Sequence, residues 1–180
     1  MKTASLALAL GLASSLAASS ALASTGPISF EGMITTATCP IEIINPGDGS
    51  VGGLVKMPSV SAGSFTAVDQ ERGGKEFVMK VLDGSTCSLG PAGTATVTFN
   101  GAANGNYFAV APGPGAAQGF AISLRDATSK PLAPGVKSDP YPIANTGETQ
   151  LSFFAYYRSI STSRVAGGAS ATLTFLLEPV

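Results

Sequence analysis

Hydrophobic and polar positions alternate with period two in many short runs along this chain, and turn residues separate the runs. The clearest run covers 94–99, where Ala95, Val97 and Phe99 alternate with threonines. Comparable apolar runs lie at 28–34, 41–43, 54–57, 77–82, 107–110, 120–124, 151–157 and 173–177. Strict alternation is typical of half-buried β-strands. About eight short strands with turn-rich spacing indicate a β-sandwich.

The segments between these runs predict connections rather than further elements. Residues 45–49 read Asn-Pro-Gly-Asp-Gly, a strong turn signal. Pro58 ends the short strand predicted at 54–57. Segments 59–75 and 125–148 are rich in Ser, Gly, Pro and charge and are predicted to be loops. No amphipathic helix, internal repeat or dividing linker stands out, so the pattern predicts a single all-β domain.

The first 23 residues have the pattern of a secretory signal peptide. Lys2 supplies a positive start, an Ala/Leu-rich run follows, and Ala21-Leu22-Ala23 fits the small-x-small rule for cleavage. An uncleaved membrane anchor is the alternative, but the run is short and no basic segment follows it. We therefore predict that residues 1–23 are removed on export and that no segment remains stably inserted in a membrane.

Composition narrows the chemistry available to the chain. The 10 basic and 11 acidic residues leave a formal net charge of −1, so no basic stripe points to nucleic acid. There is no His and only two Cys, which excludes imidazole chemistry and four-thiolate metal sites. No nucleophile elbow or phosphate loop appears. We predict no catalytic, cofactor-binding or metal-binding residues. In an oxidising compartment Cys39 and Cys87 are the natural disulfide pair, with two buried free thiols as the alternative.

The two ends of the exported chain carry the most informative pattern. Residues 24–36 precede Cys39, and Ile28, Phe30 and Ile34 alternate there as one apolar face with Gly32 among them. An exposed strand of this kind would be an aggregation hazard, so its apolar face must be buried on its own domain or in another molecule. At the other end, the predicted strand at 171–177 is expected to leave an edge unpaired.

Several motifs in order identify the family that this sequence resembles. They are Gly-Pro-Ile-Ser-Phe-Glu-Gly at 26–32, the two cysteines, Val-Thr-Phe-Asn-Gly at 97–101, Gly-Phe-Ala-Ile-Ser-Leu-Arg-Asp at 119–126 and Leu-Ser-Phe-Phe-Ala-Tyr-Tyr at 151–157. Gly167 and Phe175 stand fourteenth and sixth from the end of the sequence, where the family places a Gly and an aromatic residue. Together the motifs resemble the type 1-like pilins of the chaperone–usher pathway.

The resemblance implies an immunoglobulin-like β-sandwich that lacks its last strand and is completed by donor-strand exchange. Residues 24–36 would be the donor-strand extension and 37–180 the pilin domain. The donor face would be Ile28, Phe30, Gly32 and Ile34. The acceptor groove, which also contacts the chaperone, would involve Gly167, Leu173, Phe175, Leu177 and Val180.

The function implied is that of a structural subunit in a surface pilus, or fimbrium, that supports cell adhesion. Its partners would be identical or related pilin subunits, a periplasmic chaperone and an outer-membrane usher, and its route would lead through the periplasm to the cell surface. One position departs from the family pattern: Pro179 replaces the usual penultimate aromatic residue, and proline brings no backbone N–H to a partner strand.

Two other interpretations remain open from the residues alone. Residues 26–36 could be the first strand of a closed monomeric sandwich. The protein could also be a secreted binding domain for a carbohydrate or protein ligand. In that case its aromatic side chains, Tyr107, Phe108, Tyr141, Tyr156 and Tyr157, would supply stacking surfaces.

Overall fold

A computed structural model describes residues 39–45, 48–90 and 93–180 of the chain. The predicted signal peptide at 1–23 and the predicted donor extension at 24–36 lie outside the described residues. In the described part of the chain, no helix has the length and hydropathy that a bilayer crossing requires.

Strands dominate the described residues, and the only helical segments among them are single 3-10 turns at Ala62–Ser64 and Gly84–Thr86. The strands are β1 Ile41–Asn45, β2 Ser50–Val51, β3 Glu71–Val81, β4 Thr94–Gly101, β5 Ala103–Asn104, β6 Tyr107–Ala109, β7 Phe120–Asp126, β8 Pro131–Leu132, β9 Tyr141–Pro142, β10 Thr149–Ser159 and β11 Leu173–Pro179.

All strand pairs are antiparallel and form two sheets. The larger sheet has the order β2-β1-β3-β10-β7-β6-β5, with β8 added beside β7, and the smaller has the order β11-β4-β9. Neighbours in the sheets are mostly distant in sequence, as in the sandwiches whose connections cross between sheets. This architecture agrees with the all-β sandwich predicted from the sequence.

Three local predictions need correction. Residues 71–75 were expected to belong to a loop, but β3 begins at Glu71 and pairs with β10 along its length. The predicted loop at 125–148 contains the short strands β8 and β9. Conversely, the apolar run at 54–57 forms no strand, although Val55 and Met57 pack against the core. The alternation of this run therefore reflects the packing of Val55 and Met57 against the core and not pairing in a sheet.

A β-bulge explains why the polar, glycine-containing start of β3 can pair at all. The register between β3 and β10 shifts between Ala155 and Tyr157, and Gly73 adopts a positive φ of 69°. Positive φ is the conformation that a bulge of this kind requires and that glycine adopts without strain. At Gly74, an added Cβ would lie 2.5 Å from the Tyr156 ring. The aromatic ring therefore covers the backbone where the side chain is missing.

An aromatic cluster fills the centre of the sandwich. Phe153 of β10 is fully buried, with ring centroids 5.6 Å from Phe77, 5.2 Å from Phe99 and 5.9 Å from Tyr141. These contacts join both sheets, because Phe77 and Phe153 belong to the larger one and Phe99 and Tyr141 to the smaller. Edge-on and stacked rings at such separations stabilise a core beyond their buried area.

The predicted disulfide bond joins Cys39, just before β1, to Cys87, which is fully buried in the core. It closes a loop with a sequence separation of 48 residues. On the disputed chain-entropy account, a loop of that size stabilises a fold by roughly 4 kcal/mol. The bond also fixes the start of the described chain against the core.

Candidate functional site

The candidate site is the side of β11 that faces away from β4, which is called its free edge because no described strand pairs with it. On one side, β11 pairs with β4 from Leu173 opposite Gly101 to Pro179 opposite Ala95. On the other side, no strand of the described chain pairs with it. A free strand edge presents backbone N–H and C=O groups to any strand that can align with them.

Three apolar side chains of β11, Leu173, Phe175 and Leu177, lie on its core side, and Leu176 lies on the opposite face. Leu177 is buried with 8% exposure, whereas Leu173 and Phe175 are half-buried although both pack against the core cluster. Residues Ala169 and Ala171 continue the same alternation before the strand begins, and both are half-buried. Every second residue from 169 to 177 is thus apolar, and the side chains of this apolar row are only partly buried except at Leu177.

The backbone of β11 alternates between its two sides. The Val180 N–H donates to the Thr94 carbonyl at 3.0 Å, which marks that pair as hydrogen-bonded. In an antiparallel ladder such pairs alternate with non-hydrogen-bonded ones. Residues 174, 176 and 178 therefore direct their backbone groups to β4. Leu173, Phe175, Leu177 and Pro179 direct theirs to the free edge.

The opposite edge of the same sheet is closed by the segment that leads into β9. The N–H of Ser138 donates to the Val97 carbonyl at 3.0 Å, and the Val97 N–H donates to the Ser138 hydroxyl at 2.9 Å. The N–H groups of Gly135 and Ile143 donate to the carbonyls of Phe99 and Gly93 at 2.8 Å. The core strand β4 thus has partners along both sides.

A buried carboxylate holds this closed edge to the larger sheet. Asp126 of β7 is 4% exposed and accepts hydrogen bonds from Thr128, Lys130 and the Tyr141 hydroxyl. Burial alone would raise the pKa of Asp126, but these hydrogen bonds outweigh burial and lower it. Burial, reinforced by the Asp126 charge, raises the pKa of Tyr141 to about 12.

A cavity of about 310 Å³ lies at the Gly167 end of the β11 segment. Gly167–Ala169 form one wall, Val60 and Phe65 come from the loop before β3, and Phe120 and Tyr157 belong to β7 and β10. A Cβ on Gly167 would lie 2.3 Å from the Gly115 carbonyl oxygen, so only glycine fits there. The cavity is large enough for one bulky apolar side chain and is mostly lined by apolar residues.

The structure places the predicted acceptor residues on β11 and next to its two ends. Leu173, Phe175 and Leu177 share the core-facing side of β11, Gly167 lines the cavity, and Val180 follows the strand with 49% exposure. The predicted donor residues, Ile28, Phe30, Gly32 and Ile34, lie outside the described residues.

Sequence reasoning missed the aromatic lining of the cavity. Phe65, Phe120 and Tyr157 come from three separate parts of the chain. The rings of Phe65 and Phe120 meet edge-on with centroids 5.0 Å apart. Phe120 and Tyr157 lie in alternating runs that predicted strands, whereas Phe65 lies in a segment predicted to be a loop, and no local signal connected the three with Gly167.

The aromatic residues considered for ligand stacking do not form one platform. Phe108 is buried with 1% exposure, and Tyr141 packs on Phe153. The guanidinium of Arg158 covers the Tyr107 ring at 4.5 Å from its centroid. Tyr156 lies over Gly74, and Tyr157 contacts the position of Gly73. These five rings therefore lie in different surroundings and do not form a shared stacking surface.

Arg158 belongs to an ion network on the larger sheet. Its guanidinium pairs with Asp69 at 2.8 Å and with Glu71 at 2.9 Å, and Arg125 pairs with Glu71 at 3.0 Å. Burial alone would raise the pKa of Glu71, but hydrogen bonds from Arg125, Ser123 and Arg158 outweigh it and lower that pKa. The arrangement ties β3, β7 and β10 together. Among the described residues, no group of three or more Asp, Glu or Cys could hold a metal ion.

Comparison with known proteins relates this architecture to one family. The model of the family described as fimbrial protein matches residues 28–178. The type-1 fimbrial protein A chain of Salmonella typhi is 30% identical over 159 residues, which cover 85% of this chain and 82% of that protein.

Solved structures agree with the sequence comparison. The crystal structure of an antigen and type I fimbria protein of Burkholderia pseudomallei matches with a TM-score of 0.59 and 28% identity, covering 78% of this chain and 99% of that one. A subunit from the structure of a chaperone–usher pilus matches with a TM-score of 0.59 over 88% of this chain and 97% of its own. At 18% identity this second likeness concerns the immunoglobulin-like fold alone.

Proposed function

This chain belongs to the fimbrial protein family and is a structural subunit of a surface pilus, and on that premise we propose that it assembles head to tail by donor-strand exchange. Residues 24–36 of one subunit insert as a strand beside β11 of the next subunit. Strand addition at a free sheet edge supplies backbone hydrogen bonds, and side-chain pockets supply specificity.

The observation that carries this proposal is the free edge of β11 with its incompletely covered apolar row. Leu173 and Phe175 pack against the core and are still half-exposed. The other edge of the same sheet is closed by residues 135–143. One more strand beside β11 would bury both side chains and satisfy the outward backbone groups, which is the state that folded proteins favour.

Residues 24–36 have the composition that such a strand needs. Ile28, Phe30 and Ile34 alternate as one apolar face, and Gly32 permits close approach of the backbone to the groove. Burial of each large apolar side chain contributes about 1.5–3 kcal/mol, and each ladder hydrogen bond adds about 0.5–1.5 kcal/mol net. Three such side chains together give a contribution comparable to the stability of a small domain.

The same edge requires protection before assembly. We propose that a periplasmic chaperone covers β11 with a strand of its own after export and removal of residues 1–23. An outer-membrane usher then exchanges that strand for the next subunit's extension. Each contact joins two different surfaces, so repetition produces an open filament rather than a closed ring. The subunit's role is structural rather than catalytic, and the filament supports attachment of the cell.

A matched pair of substitutions tests donor-strand exchange. Phe30→Asp places a charge on the predicted buried face of the extension, whereas Ser29→Asp places the same charge on the opposite face. We expect Phe30→Asp to abolish fibres on negatively stained cells while the subunit still accumulates in complex with its chaperone. Ser29→Asp should leave fibres in place.

The opposite results would identify the alternatives. If Phe30→Asp unfolds the subunit even with chaperone present, residues 26–36 are the first strand of a closed monomeric sandwich. If the wild-type chain forms no fibre and the purified monomer binds a glycan in a panel, the protein is a secreted binding domain.

A further inference from the structure

The end of β11 carries a proline where an incoming strand would need a hydrogen-bond donor. We propose that Pro179 limits the hydrogen-bonded register of the strand accepted beside β11, and so speeds its release from that end of the groove. The inference rests on the proposed donor-strand exchange and adds to it a residue that controls its strength.

The alternation of backbone groups along β11 decides which side Pro179 affects. The hydrogen bond from the Val180 N–H to the Thr94 carbonyl assigns residue 180 to the side that faces β4. Two further contacts agree: the Thr94 and Thr96 hydroxyls donate to the carbonyls of Val180 and Glu178, each at 3.4 Å. Residue 179 therefore has its backbone groups on the free edge.

Proline at position 179 removes no hydrogen bond from the smaller sheet, because the N–H of a residue there would point away from β4. Edge strands tolerate proline where its nitrogen points away from the partner strand. A residue that precedes proline is restricted to extended conformations, which keeps Glu178 in the strand. Lys137 pairs with Glu178 at 3.0 Å and further supports that conformation.

The missing N–H instead affects the strand that would pair with the free edge of β11. The groove-facing residues offer both an N–H and a C=O at 173, 175 and 177, but only a C=O at 179. A strand that reaches Pro179 therefore has one carbonyl for which β11 supplies no backbone donor. At the other end, the cavity beside Gly167 offers buried apolar contacts. The two ends of the groove thus differ in how firmly they hold a strand.

The test restores the missing donor. Pro179→Ala returns an N–H to the free edge and leaves the β4 ladder unchanged. Fibres of the exported chain would be transferred to guanidinium, and the rate at which subunits leave would be followed by electrophoresis. One net hydrogen bond corresponds to a rate about 2- to 12-fold slower. Because loss of any proline also changes the unfolded chain, Pro140→Ala serves as the control, since Pro140 is exposed in the loop before β9.

The outcomes separate this inference from the function on which it rests. Slower dissociation for Pro179→Ala, repeated by Pro179→Ser and not by Pro140→Ala, supports the assignment. A Pro179→Ala rate equal to that of the wild type, or changed only as much as by Pro140→Ala, would overturn it while donor-strand exchange still stands. Absence of fibres from the wild-type chain would overturn both.

Discussion

The two edges of the smaller sheet differ in the hydrogen-bond partners that the described chain provides for them. On the β9 side, Gly135, Ser138 and Ile143 provide hydrogen bonds to backbone groups of residues 93–99, and Tyr141 packs its ring on Phe153. On the β11 side, the described chain provides no strand, and Leu173 and Phe175 remain half-exposed. Among the described residues, the sheet therefore has hydrogen-bond partners along its β9 edge and none from a strand along its β11 edge.

The unpaired side of β11 in the described chain does not reflect a poorly packed core, because Phe153 is fully buried among three other rings. The chain covers β4 with an irregular segment that includes a buried serine used as a backbone partner. Edge protection of this kind is common in β proteins. No strand of the described chain protects β11 in this way, which agrees with the proposed insertion of residues 24–36 of a neighbouring subunit beside it.

The largest expected effect concerns the closed part of the core. Phe153→Ala removes a fully buried ring that touches three other rings, and such truncations cost about 3–5 kcal/mol. Leu173→Ala, at the open edge, should cost the monomeric chain clearly less because Leu173 is half-exposed there. Guanidinium unfolding of the monomer, followed by circular dichroism, measures both. Equal losses would mean that the open edge is as well packed as the core.

An intermediate effect is expected at the closed edge. Ser138→Ala removes the hydroxyl that accepts the Val97 N–H and leaves that buried donor unpaired, at a cost of about 1–3 kcal/mol in the free energy of unfolding. Fibres should still form, because the β11 edge is unchanged. Ser163→Ala, in an exposed loop between β10 and β11, is the control for loss of a hydroxyl. Loss of fibres from a folded Ser138→Ala subunit would show that the two edges do not act separately.

The smallest expected effect is a change in how the free energy of unfolding depends on pH in the acid range. Since the folded state lowers the pKa of Asp126, the native form binds its proton less tightly than the unfolded chain. The resulting stability is present above the ordinary carboxyl value near 4 and is lost as pH falls through the lower folded pKa. Between pH 6 and pH 2, the free energy of unfolding should fall less steeply for Asp126→Asn than for the wild type. An unchanged decline would assign acid sensitivity to other groups, among them Glu71.

Much of the fold could be predicted from alternation, and the failures have physical causes. The strands β4, β7, β10 and β11 each carry a clear period of two, because one of their faces meets the core. The start of β3 was missed because Arg72, Gly73 and Gly74 have low strand propensity, and only pairing with β10 through a bulge makes that segment a strand. The run at 54–57 was wrongly predicted as a strand, because burial without a pairing partner produces the same pattern.

The acceptor residues named from the resemblance, Leu173, Phe175 and Leu177, do share one face of an edge strand. Their role in binding a donor strand stays a prediction, as do the roles of Ile28, Phe30, Gly32 and Ile34. The cavity beside Gly167 could not have been found from sequence, because Phe65, Phe120 and Tyr157 approach one another only after three distant segments pack together.

Four features could be read from the amino-acid sequence alone: the period-two faces, the pair of cysteines available for the disulfide, the apolar alternation at 28–34 and the proline at 179. Those are properties of single residues or of their spacing. The sequence also suggested that the last strand leaves an edge unpaired, but its partner β4 and the outward direction of the Pro179 backbone follow from tertiary structure. Hydrogen-bond partners in a sandwich come from distant parts of the chain, so the direction of a backbone group is fixed by register. Here the pairing of β11 with β4, together with the hydrogen bond from Val180 to Thr94, places the backbone groups of Pro179 on the side away from β4.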